Sequence, residues 1–86
     1  MATKRLTAIE KADNAHRIER ADEVIFEYAE RWDRGEDDET TIIDLLADLK
    51  HKVGKMAGRK DPNGFLMFER LLDAAHRHYF AEVYGE

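Results

Sequence analysis

The stretch TIIDLLADLKHKVGKM, residues 41–56, decides the fold class of this 86-residue chain. Its apolar side chains recur at steps of three and four residues, which places them on one face of an α-helix: Ile42, Leu45, Leu46, Leu49, Val53 and Met56. We expect this helix over about residues 41–55. Thr40 or Thr41 is its expected N-cap, and Asp44, three residues after Thr41, completes an approximate capping box.

A second apolar stripe upstream predicts a first helix over about residues 7–34. It is formed at helical spacing by Ile18, Ala21, Ile25, Tyr28 and Trp32. The alanines before residue 18 also have helical spacing, but their stripe lies more than a quarter-turn away on an ideal wheel. The predicted organisation is therefore a basic, mixed-charge N-terminal arm over residues 1–17 and a helical domain over residues 18–86.

The third helix is predicted over residues 62–83, because Asp61-Pro62 is typical of an N-cap followed by the first helical residue. Its expected core-facing residues are Phe65, Phe68, Leu72, Ala75, Tyr79 and Val83. No segment shows the strict apolar–polar alternation of a strand. The predicted fold is all-α, a small three-helix antiparallel bundle with short loops.

Charge is concentrated in the middle of the sequence. The net charge is −5, yet residues 21–50 hold eleven acidic and three basic residues, a local charge of −8. No basic face dominates, so direct nucleic-acid binding is not expected. The acidic middle would attract basic protein partners, although a solvated helix face is the plainer interpretation of the same residues.

Composition excludes further classes of site. The chain has no cysteine, which excludes a thiol nucleophile and a thiolate zinc site. No apolar run approaches the roughly 20 residues of a membrane span, and residues 1–20 are too polar for a signal peptide. We therefore expect a cytoplasmic protein without a membrane span, and we predict no cofactor.

Asp44, Asp48 and His51 are weak candidate metal ligands, since they lie on one side of the second helix at spacings of four and three. A carboxylate and an imidazole three residues apart can share a divalent metal, but such bundle sites also need inward-facing ligands from other helices. These three point away from the apolar face. A surface salt bridge between Asp48 and Lys52 is the structural alternative.

Glu27-x-x-Glu30 has the spacing of the first carboxylate pair in all-α nucleotide pyrophosphohydrolases, where such pairs hold Mg²⁺ against a di- or triphosphate. The later pairs here, Asp44 with Asp48 and Glu69 with Asp73, are four residues apart instead of three. The match to that family is therefore partial. A metal-dependent nucleotide hydrolase acting as an oligomer is kept as the alternative function, and no catalytic residue is assigned.

Several apolar residues exceed the needs of a minimal core. Phe26 falls beside the acidic face of the first helix, and Leu66, Phe80 and Tyr84 form a second stripe on the third. Aromatic residues rimmed by charge commonly anchor protein partners, although these could instead pack on the N-terminal arm or on a second copy in a homodimer. The predicted partner-binding set is Glu23, Phe26, Glu27, Glu30, Leu66, Phe80 and Tyr84.

Two segments carry a family resemblance: DLLADLKH at residues 44–51 and AHRHYFAE at residues 75–82. They resemble the DLLxDLxH … AxxHYxxE pattern of a family of small α-helical proteins of bacteria and phages with no assigned activity. The loop over residues 55–64 departs from that family because it is longer and basic. The resemblance implies a phage or mobile-element context and marks four polar positions: Asp48, His51, His78 and Glu82.

The function predicted from these features is that of a small acidic protein-binding protein without enzymatic activity. It would act as an inhibitor or adaptor of a host protein. The acidic face of the first helix would present carboxylates where a basic groove expects phosphates.

Overall fold

Three α-helices follow one another in a computed structural model of the chain, which describes residues 7–85: α1 (Ala8–Trp32), α2 (Asp38–Ala57) and α3 (Phe65–Tyr84). Two 3-10 turns, Gly58–Lys60 and Pro62–Gly64, join α2 to α3. The described residues contain no strand, which confirms the all-α prediction. The first six residues of the predicted N-terminal arm lie outside the described residues.

Helix α1 begins with a capping box. The Thr7 hydroxyl accepts a hydrogen bond from the Glu10 amide at 3.1 Å, and the Glu10 carboxylate accepts one from the Thr7 amide at 3.2 Å. The helix then continues unbroken through residue 17, so the boundary between arm and domain stays a prediction. Farther along α1, the side-chain Nδ2 of Asn14 donates to the backbone carbonyl of Glu82 at 2.8 Å. Arg17 Nε lies 3.4 Å from Glu82 Oε1.

Helix α2 begins one turn earlier than predicted. Its N-cap is Asp37, whose Oδ1 accepts a hydrogen bond from the Thr40 amide at 2.8 Å. Hydrogen bonds from Thr40 lower the pKa of Asp37. The predicted N-cap at Thr40 or Thr41, with its capping box of Thr41 and Asp44, is therefore wrong. The acidic loop supplies the N-cap, and both threonines lie inside the helix, Thr41 only 1% exposed.

Asp61 caps α3 from a distance. It was expected directly before the helix, but Asn63 and Gly64 both adopt positive φ, 64° and 63°, which delays the α-helix to Phe65. The Asp61 carboxylate still accepts hydrogen bonds from the amides of Leu66 at 3.0 Å and Met67 at 2.8 Å. These bonds satisfy two of the helix's first amides.

The backbones of α2 and the turn before α3 touch directly. A Cβ atom on Gly64 would lie 2.6 Å from the Gly54 nitrogen and 2.7 Å from the Gly54 Cα. A Cβ atom on Gly54 would lie 3.3 Å from the Asn63 carbonyl carbon. Close to this junction, the Lys50 ammonium sits 5.5 Å from the Phe65 ring centre. The absence of side chains at both glycines therefore sets how closely the two segments approach.

The single chain buries very little. Val53, 7% exposed, is the one large apolar side chain of residues 7–85 that is buried. The radius of gyration is 15.9 Å and the Cα atoms span 43 × 36 × 17 Å, whereas a compact domain of this length has a radius near 12 Å. The expected shared core is therefore wrong for the single chain, since these predicted core residues are exposed: Ile18, Trp32, Ile42, Leu46, Leu49, Met56, Phe65, Leu72 and Tyr79.

Replacing Gly64 with alanine should lower the free energy of unfolding by about 3 kcal/mol or more, because the new Cβ would clash with backbone and also require a strained positive φ. Gly35→Ala is the matched control, since Gly35 has φ 86° but a Cβ atom added there would meet nothing within 4 Å. That control should cost about 1 kcal/mol. Urea unfolding followed by circular dichroism measures both, and equal losses would contradict the close contact.

Thr41→Val should leave the free energy of unfolding unchanged or raise it by up to about 1 kcal/mol, because the buried Thr41 hydroxyl has no hydrogen-bond partner among residues 7–85 and its removal costs nothing. If Thr41 were the N-cap, the same substitution would lower stability by about 1 kcal/mol. Asp37→Ala is the comparison. Because Asp37 is the N-cap, thermal unfolding should show a loss of stability for that variant.

Candidate protein-binding surface

An acidic groove of about 430 Å³ lies where the end of α1 meets the start of α2. The groove is lined by Asp22, Ile25, Phe26, Ala29, Glu30, Arg34, Gly35, Glu36 and Asp38. Four of these residues are carboxylates and one is a guanidinium, which gives the lining a formal charge of −3. The groove therefore combines an apolar patch with a negative rim.

Phe26 is the apolar centre of the acidic groove. Its side chain is 66% exposed, while its neighbour Ile25 is half-buried. An exposed phenyl ring beside carboxylates gains from a partner that covers it with apolar atoms while meeting the rim with positive charge. A monomer leaves both requirements unmet.

The loop after α1 shapes one wall of the acidic groove. Gly35 has φ 86°, and the Glu36 amide donates to the Asp33 carbonyl at 3.0 Å, which turns the chain back toward α2. Arg34 lies 3.2 Å from the Glu30 carboxylate in a solvent-exposed ion pair. Such a pair contributes little stability. Arg34 can therefore leave Glu30 for an acidic group of a bound partner with little loss of free energy.

A second acidic cluster, the aspartate cluster, consists of Tyr28, Asp33, Asp44 and Asp48. The Tyr28 hydroxyl donates to Asp48 Oδ2 at 2.5 Å, and this bond together with the nearby carboxylates raises the pKa of Tyr28 to about 12. The Asp33 Oδ2 atom is shielded from solvent and meets no N–H or O–H donor within the described chain.

Asp33 at the end of α1 lies close to Asp44 of α2. Two carboxyl groups can hydrogen-bond to each other only when one of them is protonated. The hydrogen bond with Asp44, followed by desolvation and the Asp44 charge, raises the pKa of Asp33 to about 6. The Asp33–Asp44 contact therefore tightens when a proton is bound and repels when it is lost.

The candidate metal ligands do not converge in the described chain. Asp44 faces Asp33, and Asp48 accepts from Tyr28, whereas His51 lines a separate groove with Ala47, Lys50, Gly54 and Asn63. Across residues 7–85 no group of three or more His, Asp and Glu side chains is placed to hold a metal ion. The proposed salt bridge of Asp48 with Lys52 is replaced by the Tyr28 hydrogen bond.

The predicted partner-binding residues fall on three separate surfaces. Phe26 and Glu30 line the acidic groove, and Glu23 and Glu27 are exposed on the same helix. Leu66 lines a small groove with Ala57, Asp61, Met67 and Arg70. Phe80 and Tyr84 belong to an aromatic groove along α3. The structure therefore brings only part of the predicted set together.

The positions marked by the family resemblance are also dispersed. Asp48 belongs to the aspartate cluster and His51 to the groove beside Asn63. His78 is exposed on α3. Glu82 joins α3 to α1 through Arg17 and Asn14, which is a structural role.

Sequence reasoning missed the loop side of the acidic groove. Arg34, Gly35, Glu36 and Asp38 line it, and the pairing of Asp33 with Asp44 was not foreseen. Gly35 followed by four acidic residues was the available signal, but that signal marks only a turn. Which side of α1 the returning chain covers depends on the packing of α2.

Comparison with known proteins gives no relative: no family model, no curated protein and no solved structure matches this chain. Within residues 7–85, none of the helices combines the length and apolarity that a membrane crossing requires.

Wild-type stability relative to Asp33→Asn should fall as the pH rises from about 4 to 6. The pKa of Asp33 is raised in the folded state, so its contribution is complete below the unfolded pKa of 3.8 and is lost as the pH passes about 6. Urea unfolding at a series of pH values measures this difference.

Asp37→Asn provides a control of opposite sign. The pKa of Asp37 is lowered, so wild-type stability relative to that variant should decline as the pH falls below the ordinary carboxyl range. A flat difference between wild type and Asp33→Asn from about pH 4 to 7 would contradict the raised pKa of Asp33.

Proposed function

We propose that this chain is a non-enzymatic protein-binding protein that captures a basic segment of another protein in its acidic groove. The observation that carries the proposal is the placement of exposed Phe26 among Asp22, Glu30, Glu36 and Asp38. The groove offers an apolar anchor point and a negative rim within one site.

Electrostatics selects the partner class. The groove lining carries −3, and Glu23 and Glu27 extend the negative surface along α1. This field repels phosphate backbones and accelerates encounters with Lys- and Arg-rich surfaces. A basic protein segment therefore fits the groove better than a nucleic acid does.

The apolar part of the groove supplies affinity. Rim charges act mainly on the association rate and on specificity, whereas a desolvated aromatic ring is typical of a binding hot spot. Phe26 is the large apolar residue that is most exposed in the groove, so it is the expected anchor. A partner with an apolar side chain between its basic residues would satisfy both features.

The proposal includes the finer predicted architecture, a three-helix antiparallel bundle with an N-terminal arm. It is supported by the order of contacts: Tyr28 meets Asp48, whereas Asp33, farther along α1, meets Asp44, earlier in α2. The inhibitor or adaptor role on a cytoplasmic host protein stays a prediction, and the family resemblance supports only its phage or mobile-element context. The alternative, a metal-dependent nucleotide hydrolase, stays a prediction.

The test uses a synthetic amphipathic peptide rich in Lys and Arg with one aromatic residue, titrated into the ¹⁵N-labelled protein. We expect the largest chemical-shift changes at Phe26, Ala29 and Gly35, because these residues line the groove. Asp22→Lys combined with Glu30→Lys should weaken binding about tenfold or more, which corresponds to about 1.4 kcal/mol.

The matched control is Glu19→Lys combined with Glu69→Lys, which makes the same change in net charge at two exposed positions outside the groove. That control should weaken binding by less than about threefold, through net charge alone. Equal losses in the two double variants, or shift changes centred away from α1, would reject the groove as the binding site.

A further inference from the structure

The single chain exposes more surface than a folded monomer of its mass should. Its accessible surface is 7361 Å² for 10.0 kDa, whereas folded monomers of this mass expose about 5,200 Å². Assigning the seven residues outside 7–85 the full surface of an unfolded chain removes about 1,200 Å² of this total. The remaining residues still exceed the expectation for their smaller mass by about 1,200 Å².

This excess is the size of a protein–protein interface. A standard interface buries about 800 Å² on each partner, and obligate homodimers bury more. The exposed side chains also include those that the sequence pattern assigns to a core, such as Leu72 and Tyr79 on α3. An apolar stripe that its own chain leaves uncovered is typical of a subunit interface.

The aromatic groove along α3 is an apolar surface suited to such an interface. It has a volume of about 430 Å³ and is lined by Leu72, Ala75, His76, Tyr79, Phe80 and Tyr84. Phe80 is 44% exposed. Its ring lies 5.4 Å from the Tyr84 ring, 5.9 Å from Tyr79 and 6.4 Å from His76, measured between centroids. These contacts hold the rings in a row along α3.

Charge distinguishes a second copy from other occupants. The acidic residues and arginines of α3 nearly balance, and Asp73 already pairs with Arg77, so two α3 helices can approach without strong repulsion. Two acidic grooves, each with a lining charge of −3, would repel each other. A two-fold axis is therefore compatible with the α3 side and incompatible with the acidic side.

We propose that this chain forms a homodimer in which the aromatic groove of α3 packs against the same groove of a second copy. The two-fold arrangement buries the row of Phe80, Tyr84 and His76 in an isologous contact. It leaves the two acidic grooves free on the outside. The dimer stands independently of the proposed function, because none of its residues lines the acidic groove.

The test is sedimentation velocity on the full chain over a range of concentrations. The wild type should sediment with twice the 10.0 kDa chain mass. Phe80→Glu should sediment as a single chain, because the new carboxylate would face its own copy across the two-fold axis. Phe26→Glu, the same substitution at an exposed phenylalanine of the acidic groove, should remain dimeric.

A second variant and a cross-link test the same face independently, in case Phe80→Glu fails to fold. Ala75→Arg adds bulk and charge to the aromatic groove while keeping a strong helix former, and it should also dissociate the dimer. Because the chain has no cysteine, His76→Cys should form a disulfide-linked dimer under mild oxidation, whereas Phe26→Cys should not.

A wild type with single-chain mass at every concentration would overturn the proposal. So would a dimer that persists in both Phe80→Glu and Ala75→Arg with helicity retained by circular dichroism, whatever Phe26→Glu does. If both aromatic-groove variants unfold, the cross-link decides: equal cross-linking of His76→Cys and Phe26→Cys rejects the assigned face.

Discussion

The backbone contact between Gly54 and Gly64 is the constraint on which the arrangement of the chain depends. It is the point where α2 meets the turn that leads into α3, and no side chain intervenes between the two backbones. The positive φ of Gly64 and of Asn63 sets the direction of the turn, and the Asp61 carboxylate then caps the new helix. The direction of α3, and with it the placement of the aromatic groove, follows from this contact.

Away from that contact, polar interactions hold the helices together. Tyr28 with Asp48 joins α1 to α2, while Asn14 and Arg17 join α1 to Glu82 of α3. Surface hydrogen bonds and ion pairs each add little to stability. A chain that buries one large apolar side chain among its described residues therefore gains most by covering its exposed apolar face in an assembly.

The two principal surfaces differ in chemistry and suit different occupants. The acidic groove joins an exposed phenylalanine to a negative rim, which favours a basic partner and disfavours a copy of itself. The aromatic groove carries an almost balanced helix charge, which permits self-association. A dimer formed through α3 would present two acidic grooves at once and so increase avidity for a partner with repeated basic segments.

The sequence by itself determined the three helices, the absence of strand patterns and the concentration of acid in residues 21–50, because helical periodicity and charge are local properties. It also indicated Phe26 and Glu30 as neighbours, since both lie on one helix. Only the tertiary structure decided that Asp37 and not Thr41 caps α2, that Asp33 meets Asp44, and that Leu66 lies apart from Phe80. It also decided that Leu72 and Tyr79 stay exposed. The Asp37 cap is a choice among neighbouring residues that periodicity does not make. The other outcomes depend on which helix faces pack together, and for α2 and α3 the non-local approach of Gly54 and Gly64 contributes to that packing.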